Sequence, residues 1–268
     1  MAKHDGKFIR GKVNGMVFRV YRDDQIVQSE PRKKKKKSNQ TVRTKKAASI
    51  FGKASKLGGE IRNGLYHLSN SLYDGTMIFR LNAEILHSLN SVRNAETNTF
   101  DLKTDTFRSL IGFELNINSL LKNSLLVNPE ITQDGSILKV EIPELKIPTD
   151  LKFPEDRLDR CRLVVMTCMI DLSNRKTKSL QPEIMDIPYS HKLNLMPGRT
   201  FEFDLAPGCL CVTAISLKFL KSTFAGDVIV NNKEFNPTAI VHSIITEGIN
   251  DTSDYTQWIS HGFLSEGL

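Results

Sequence analysis

In RCRLVVMTCMIDL, residues 160–172, apolar or small side chains fill nearly every position from Cys161 to Ile170. Read with the two-residue period of a strand, Cys161, Leu163, Val165 and Thr167 fall on one face. Arg162, Val164, Met166 and Cys168 fall on the other. Apolar residues on both faces suit a central strand rather than an edge.

The same signal recurs at short intervals on either side. GFELNINS (112–119), SILKVEIPEL (136–145), HKLNLMPG (191–198), TFEFDLAPG (200–208), CLCVTAISLKFL (209–220) and VIVNNKEF (228–235) are alternating or apolar runs. Asp134-Gly135, Pro197-Gly198 and Pro207-Gly208 supply turns between them. Short, closely spaced strands without helices between them predict a mainly antiparallel, immunoglobulin-like β-sandwich over 96–246. Pro143 and Pro148 predict an edge strand that leaves the sheet.

Upstream the period changes. MIFRLNAEILHSLNSV (77–92) sets Ile78, Leu81, Ile85, Leu89 and Val92 on one helical stripe, and Gly58-Gly59, Gly64 and Gly75 are expected to separate two or three helices. The expected fold class is α+β, in four parts. A basic N-terminal arm (1–62) is followed by a helical connector (63–95), the sandwich (96–246) and a tail (247–268). In the tail Tyr255, Trp258, Ile259, Phe263 and Leu264 can dock on the body or on a neighbouring subunit, the body being the simpler choice.

Charge divides the chain more sharply than periodicity does. Residues 1–62 hold 18 Lys/Arg and 5 Asp/Glu, a net of +13, whereas the remainder holds 19 basic and 25 acidic residues, a net of −6. This polarity is that of an arm that contacts a polyanion, attached to a soluble body. Within the arm, GKVNGMVFRVYRDDQIVQS predicts a three-stranded antiparallel meander with turns at Asn14-Gly15 and Asp23-Asp24. Phe18 and Val20 share a face with Met16, and Arg19 and Tyr21 take the other. Next comes the run Lys33–Lys37, whose compact charges bind phosphates without reading bases. After it Thr41 can cap a helix in which Ile50, Ala54, Leu57 and Ile61 form an apolar stripe. Lys45, Lys46, Lys53 and Lys56 fall in one flanking arc. The candidate phosphate-binding residues are therefore Arg19, Arg22, Arg32, Lys33, Lys34, Lys35, Lys36, Lys37, Arg43, Lys45, Lys46, Lys53 and Lys56. Other uses of such a segment are a nuclear-localisation signal, a membrane-surface helix or a solvated tail.

Catalytic chemistry finds little to stand on. His4, His67, His87, His191, His242 and His261 are scattered, and no G-x-S-x-G, P-loop, G-x-G-x-x-G or H-E-x-x-H pattern occurs. Glu141 and Glu144, and Asp156 and Asp159, read as solvated acids. Cys161, Cys168, Cys209 and Cys211 lie in strand-like runs without a C-x-x-C pair, which predicts buried thiols with neither metal, cofactor nor disulfide. No run of about 18 apolar residues predicts a membrane span. MAKHDGKFIRGKV lacks the apolar core of a secretory signal, so a cytoplasmic location, or one within a phage particle, is expected.

The Gly-rich basic meander (GKVNGMVFRVYRDDQIVQSEPRK), the helix start NQTVRTKKAASIF and the strand pair LVVMTCMIDLSNRKTKS and CLCVTAISLKFLKS together resemble an uncharacterised family of bacterial proteins. The resemblance covers the two ends of the chain. It implies an arm–helix–sandwich order and a bacterial or phage setting, and it implies no activity. The dense Lys33–Lys37 run departs from it.

From these residues a non-enzymatic protein that grips RNA or DNA without sequence specificity is expected, with no small-molecule substrate and no membrane partner. The alternative is a structural subunit of a particle, tube or filament, whose basic arm contacts the acidic body of another copy.

Overall fold

At Asn14-Gly15 the backbone turns with positive φ at both residues, 47° and 76°, the type I′ geometry that matches strand twist. In the computed structural model, residues 2–21, 24–30, 41–94, 96–97, 99–154, 158–250 and 256–260 are described. The chain forms two compact units, residues 1–45 and 46–268.

The first unit is a four-stranded antiparallel sheet in the order β1 (Lys3–His4), β2 (Ile9–Val13), β3 (Met16–Tyr21), β4 (Asp24–Ser29). It has one more strand than the expected meander. Register places Val13 opposite Met16, Phe18 opposite Val27 and Val20 opposite Gln25, so these residues share one face. Lys12, Arg19 and Tyr21 stand on the other, as the alternation requires.

Helix α1 (Val42–Gly64) begins where the sequence places its cap. The Thr44 amide donates to Thr41 Oγ1 at 3.1 Å. The helix then runs through Gly58 and Gly59 without a break, which corrects the expectation that these glycines separate helices. At Gly58 and Gly64 the role of glycine is close approach. A Cβ on Gly64 would lie 2.7 Å from Cys168 Cβ, and one on Gly58 would collide with Asn82 Oδ1. Gly75 does fall between helices, after the short α2 (Tyr66–Ser69) and before α3 (Met77–Ser91).

In the body, the expected central strand is β8 (Arg160–Asp171), paired along its full length with β13 (Cys209–Thr223). Around this pair a large antiparallel sheet assembles. β9 (Lys176–Ser179) and β10 (Glu183–Pro188) flank β8; β14 (Gly226–Ile229) and β15 (Thr238–Ile245) flank β13; β16 (Ile259–Ser260) adds to β9. The face carrying Cys161, Leu163 and Val165 packs against two smaller sheets. One is β5 (Glu130–Asp134), β6 (Ile137–Ile142) and β12 (Arg199–Asp204); the other is β7 (Leu145–Ile147) with β11 (Asn194–Met196). The opposite face, with Val164, Met166 and Cys168, packs against the stripes of α1 and α3. Thus both faces of β8 are buried, each for the reason its alternation gives.

The chain leaves β6 at Pro143 and enters a different sheet, as the prolines predict. Trp258 is buried in the core on the small-sheet side, so the tail docks on the body there; Tyr255, Phe263 and Leu264 lie outside the described residues. GFELNINS departs from expectation. It forms an isolated bridge from Glu114 to Ala239 and three backbone hydrogen bonds with β15, but no regular strand. Its polar residues explain the interruption: Glu114 accepts from the Leu121 amide at the start of the short helix α4 (Leu121–Ser124), and Asn116 donates to the Lys233 carbonyl.

The architecture is therefore mixed α and β with antiparallel sheets, one of them curled as a half-barrel. Among the described residues no helix is long and apolar enough to cross a membrane.

Candidate nucleic-acid interface

Helix α1 carries the largest described share of the expected cations. Arg43, Lys45, Lys46 and Lys56 are exposed along it, while its Ile50, Ala54, Leu57 and Ile61 stripe is buried. The first turn contains no acidic residue. Cations there sit at the positive end of the helix dipole, where they destabilise the helix by roughly 0.3–1 kcal/mol each. Arg43, Lys45 and Lys46 thus stand at the positive end of the helix, an arrangement that attracts an external anion.

Lys53 differs from its neighbours. It is half-buried, with its ammonium 5.0 Å from the centre of the Phe100 ring. Glu60, within the lysine arc, is buried and accepts from Thr177 Oγ1 at 2.7 Å, so it ties the helix to β9. Neither contact could be read from spacing, because Phe100 and Thr177 are distant in sequence.

On the meander, Arg19 is exposed on β3. Two other cations of this sheet are engaged: Arg10 pairs with Asp5 at 2.8 Å and Lys12 with Glu30 at 2.6 Å. Among the described residues, Arg19, Arg43, Lys45, Lys46 and Lys56 have no carboxylate within ion-pair distance. Arg22, Arg32, Lys33, Lys34, Lys35, Lys36 and Lys37 lie outside the described residues.

The body shows the opposite sign on the outer face of its three-stranded sheet. Register places Glu130 opposite Glu141, Asp134 opposite Ile137, and Glu141 opposite Thr200. Glu202 and Asp204 complete five carboxylates on this face; Lys139 lies 3.3 Å from Glu202. Like charges directly opposite in a sheet are destabilising.

Other chemistry is sparse. Burial holds the four thiols high, at about 12 for Cys168 and Cys209, which keeps them protonated and unreactive. Among the described residues no three His, Cys, Asp or Glu side chains converge as metal ligands. His242 is half-buried beside a β-bulge, its Nε2 lacks a hydrogen-bond partner among the described residues, and burial lowers its pKa. A cleft of about 580 Å³ near Thr104, Gln133 and Glu247 is lined, among the described residues, by neither a histidine nor a cysteine. The buried Lys218 escaped the sequence reading altogether, since it stands within the apolar alternation of β13.

No protein-family model, curated protein or solved structure matches the chain. Its functional reading rests on its own residues.

Proposed function

We propose that the protein binds the phosphate backbone of RNA or DNA through residues 1–62, without reading sequence and without catalysis, while the body acts as scaffold. The observation that supports this most is the set of cations at the start of α1, without a carboxylate partner among the described residues and kept where the helix itself disfavours them. The +13 charge of the segment supports the same reading. The cytoplasm or the interior of a phage particle is the setting that suits it, and an immunoglobulin-like scaffold is the finer reading of the antiparallel body.

Fluorescence anisotropy with single-stranded RNA, single-stranded DNA and duplex DNA of one length tests the proposal. All three are expected to bind, with affinity falling steeply as salt is raised. Reversing Lys33–Lys37 to glutamate, or Arg43, Lys45 and Lys46 to glutamate, is expected to weaken binding by at least tenfold. Unchanged affinity in both variants overturns the reading.

A second reading is favoured by the carboxylate face of the body. There the basic arm of one copy contacts Glu130, Glu141 and their neighbours on another, building a particle, tube or filament. Assembly that survives nuclease but dissolves in high salt is its signature. Electron microscopy before and after nuclease separates the two.

A further inference from the structure

The last described stretch of the chain, residues 256–260, lies on the body as a short strap. Asn250 anchors the chain ahead of it, donating to Asp171 Oδ2 at 2.9 Å. Trp258 then enters the core on the small-sheet side at 9% exposure, while Thr256 and Gln257 stay exposed and Ile259 is 62% exposed. Backbone pairing is limited to the two residues of β16: Ile259 stands opposite Thr177 and Ser260 opposite Lys176, on the outer edge of β9. The strap also underfills its seat. A cleft of about 470 Å³ remains beside it, with Lys178, Asp204 and Leu205 on the body side and Gln257 and Trp258 on the strap side.

We propose that residues 256–260 are a releasable strap, and that their seat is an acceptor site for an extended, tryptophan-bearing peptide, which the chain's own strap occupies. Burying one indole offsets the entropy of fixing five residues only narrowly, so the strap opens well below the free energy of global unfolding. Close-packed interiors leave few gaps larger than a water molecule, and the cleft sets this contact apart from them. Release uncovers two features that a strand recognises together: the outer edge of β9 and, beside it, the pocket that Trp258 fills. Backbone pairing along an edge gives such a peptide its hold, and the pocket gives it specificity. The resident strap competes with any incoming peptide, so apparent affinity is scaled down by the open fraction of molecules.

This inference does not depend on phosphate binding. Trp258 is the only tryptophan of the chain, so its emission reports the strap alone. In a urea titration of the full-length wild type, that emission is expected to reach the position of an exposed indole while far-UV circular dichroism still reads native. Anisotropy of a fluorescein-labelled peptide of sequence TQWIS then tests the seat. Trp258→Ala, whose own strap cannot fill the pocket, is expected to keep the native dichroism and to bind the peptide at least about tenfold more tightly than wild type. A labelled TQAIS peptide is expected to bind neither protein. Coincident emission and dichroism transitions overturn the releasable strap, and that arm needs no variant. The acceptor site is overturned by a natively folded Trp258→Ala that does not bind TQWIS, by equal affinity of the two proteins for it, or by equal binding of the two peptides.

Discussion

Lys218 sits 4% exposed on β13, with its ammonium donating to Asn236 Oδ1 at 2.9 Å. That oxygen also accepts from Asn231, and the Asn236 amide donates to the Leu72 carbonyl, so the lysine belongs to a polar network rather than to an ion pair. Burial lowers its pKa from 10.5 to about 8. Below pH 8 folded and unfolded chains both carry the proton, and the burial cost is present in full. Between pH 8 and 10.5 the folded chain releases it first, so Lys218 makes stability rise with pH across that window. Lys218→Met is expected to remove this rise and to be neutral or stabilising by up to about 3 kcal/mol at pH 7; urea unfolding of both proteins at pH 7 and pH 9.5 measures the difference. Asp74 behaves oppositely. Burial would raise its carboxyl, but hydrogen bonds from Thr76 and from Arg80, the latter at 2.5 Å, outweigh that and hold it at about 2. Its contribution is present above pH 4 and lost as pH falls toward 2. Asp74→Asn is expected to lower stability at pH 7 by about 1–3 kcal/mol and to flatten acid unfolding over that window, as thermal melts at stepped pH would record.

Helix α1 joins two demands that conflict. Gly58 and Gly64 permit close approach, and each costs about 1 kcal/mol of helix propensity relative to alanine. Gly64→Val is expected to destabilise by about 1–3 kcal/mol, because the new side chain must push against Cys168 on the sheet; chemical denaturation checks this. At the other end, the cations of the first turns weaken the helix they stand on. Replacing Lys45 and Lys46 by glutamate is expected to raise the melting temperature slightly while cutting polyanion affinity. Stability and binding moving in opposite directions is the outcome that misfolding could not mimic. If both fall together, the helix terminus is not a binding element.

At the scale of the whole molecule, salt distinguishes the forces at work. A polyanion complex of this protein is expected to give a linear plot of log K against log salt, steeper for duplex DNA than for single strands. Each phosphate contact removed by a lysine substitution should reduce the slope on duplex DNA by about 0.9. Slopes unaffected by substitutions in Lys33–Lys37 would remove that run from the interface.

What residue order alone determined was whatever depends on near neighbours. Alternation assigned the two faces of β8, Asn14-Gly15 assigned its turn, Thr41 its cap, and the stripes of α1 and α3 their buried sides. Each follows from backbone geometry that a few residues specify. Tertiary structure decided what depends on residues distant in the chain. It placed Gly58 of α1 against Asn82 of α3, interrupted GFELNINS through Asn116 and Lys233, buried Lys218 beside Asn236, and gathered five carboxylates on one sheet face. These features arise from the register between strands and the packing between layers, and no local pattern of residues encodes either.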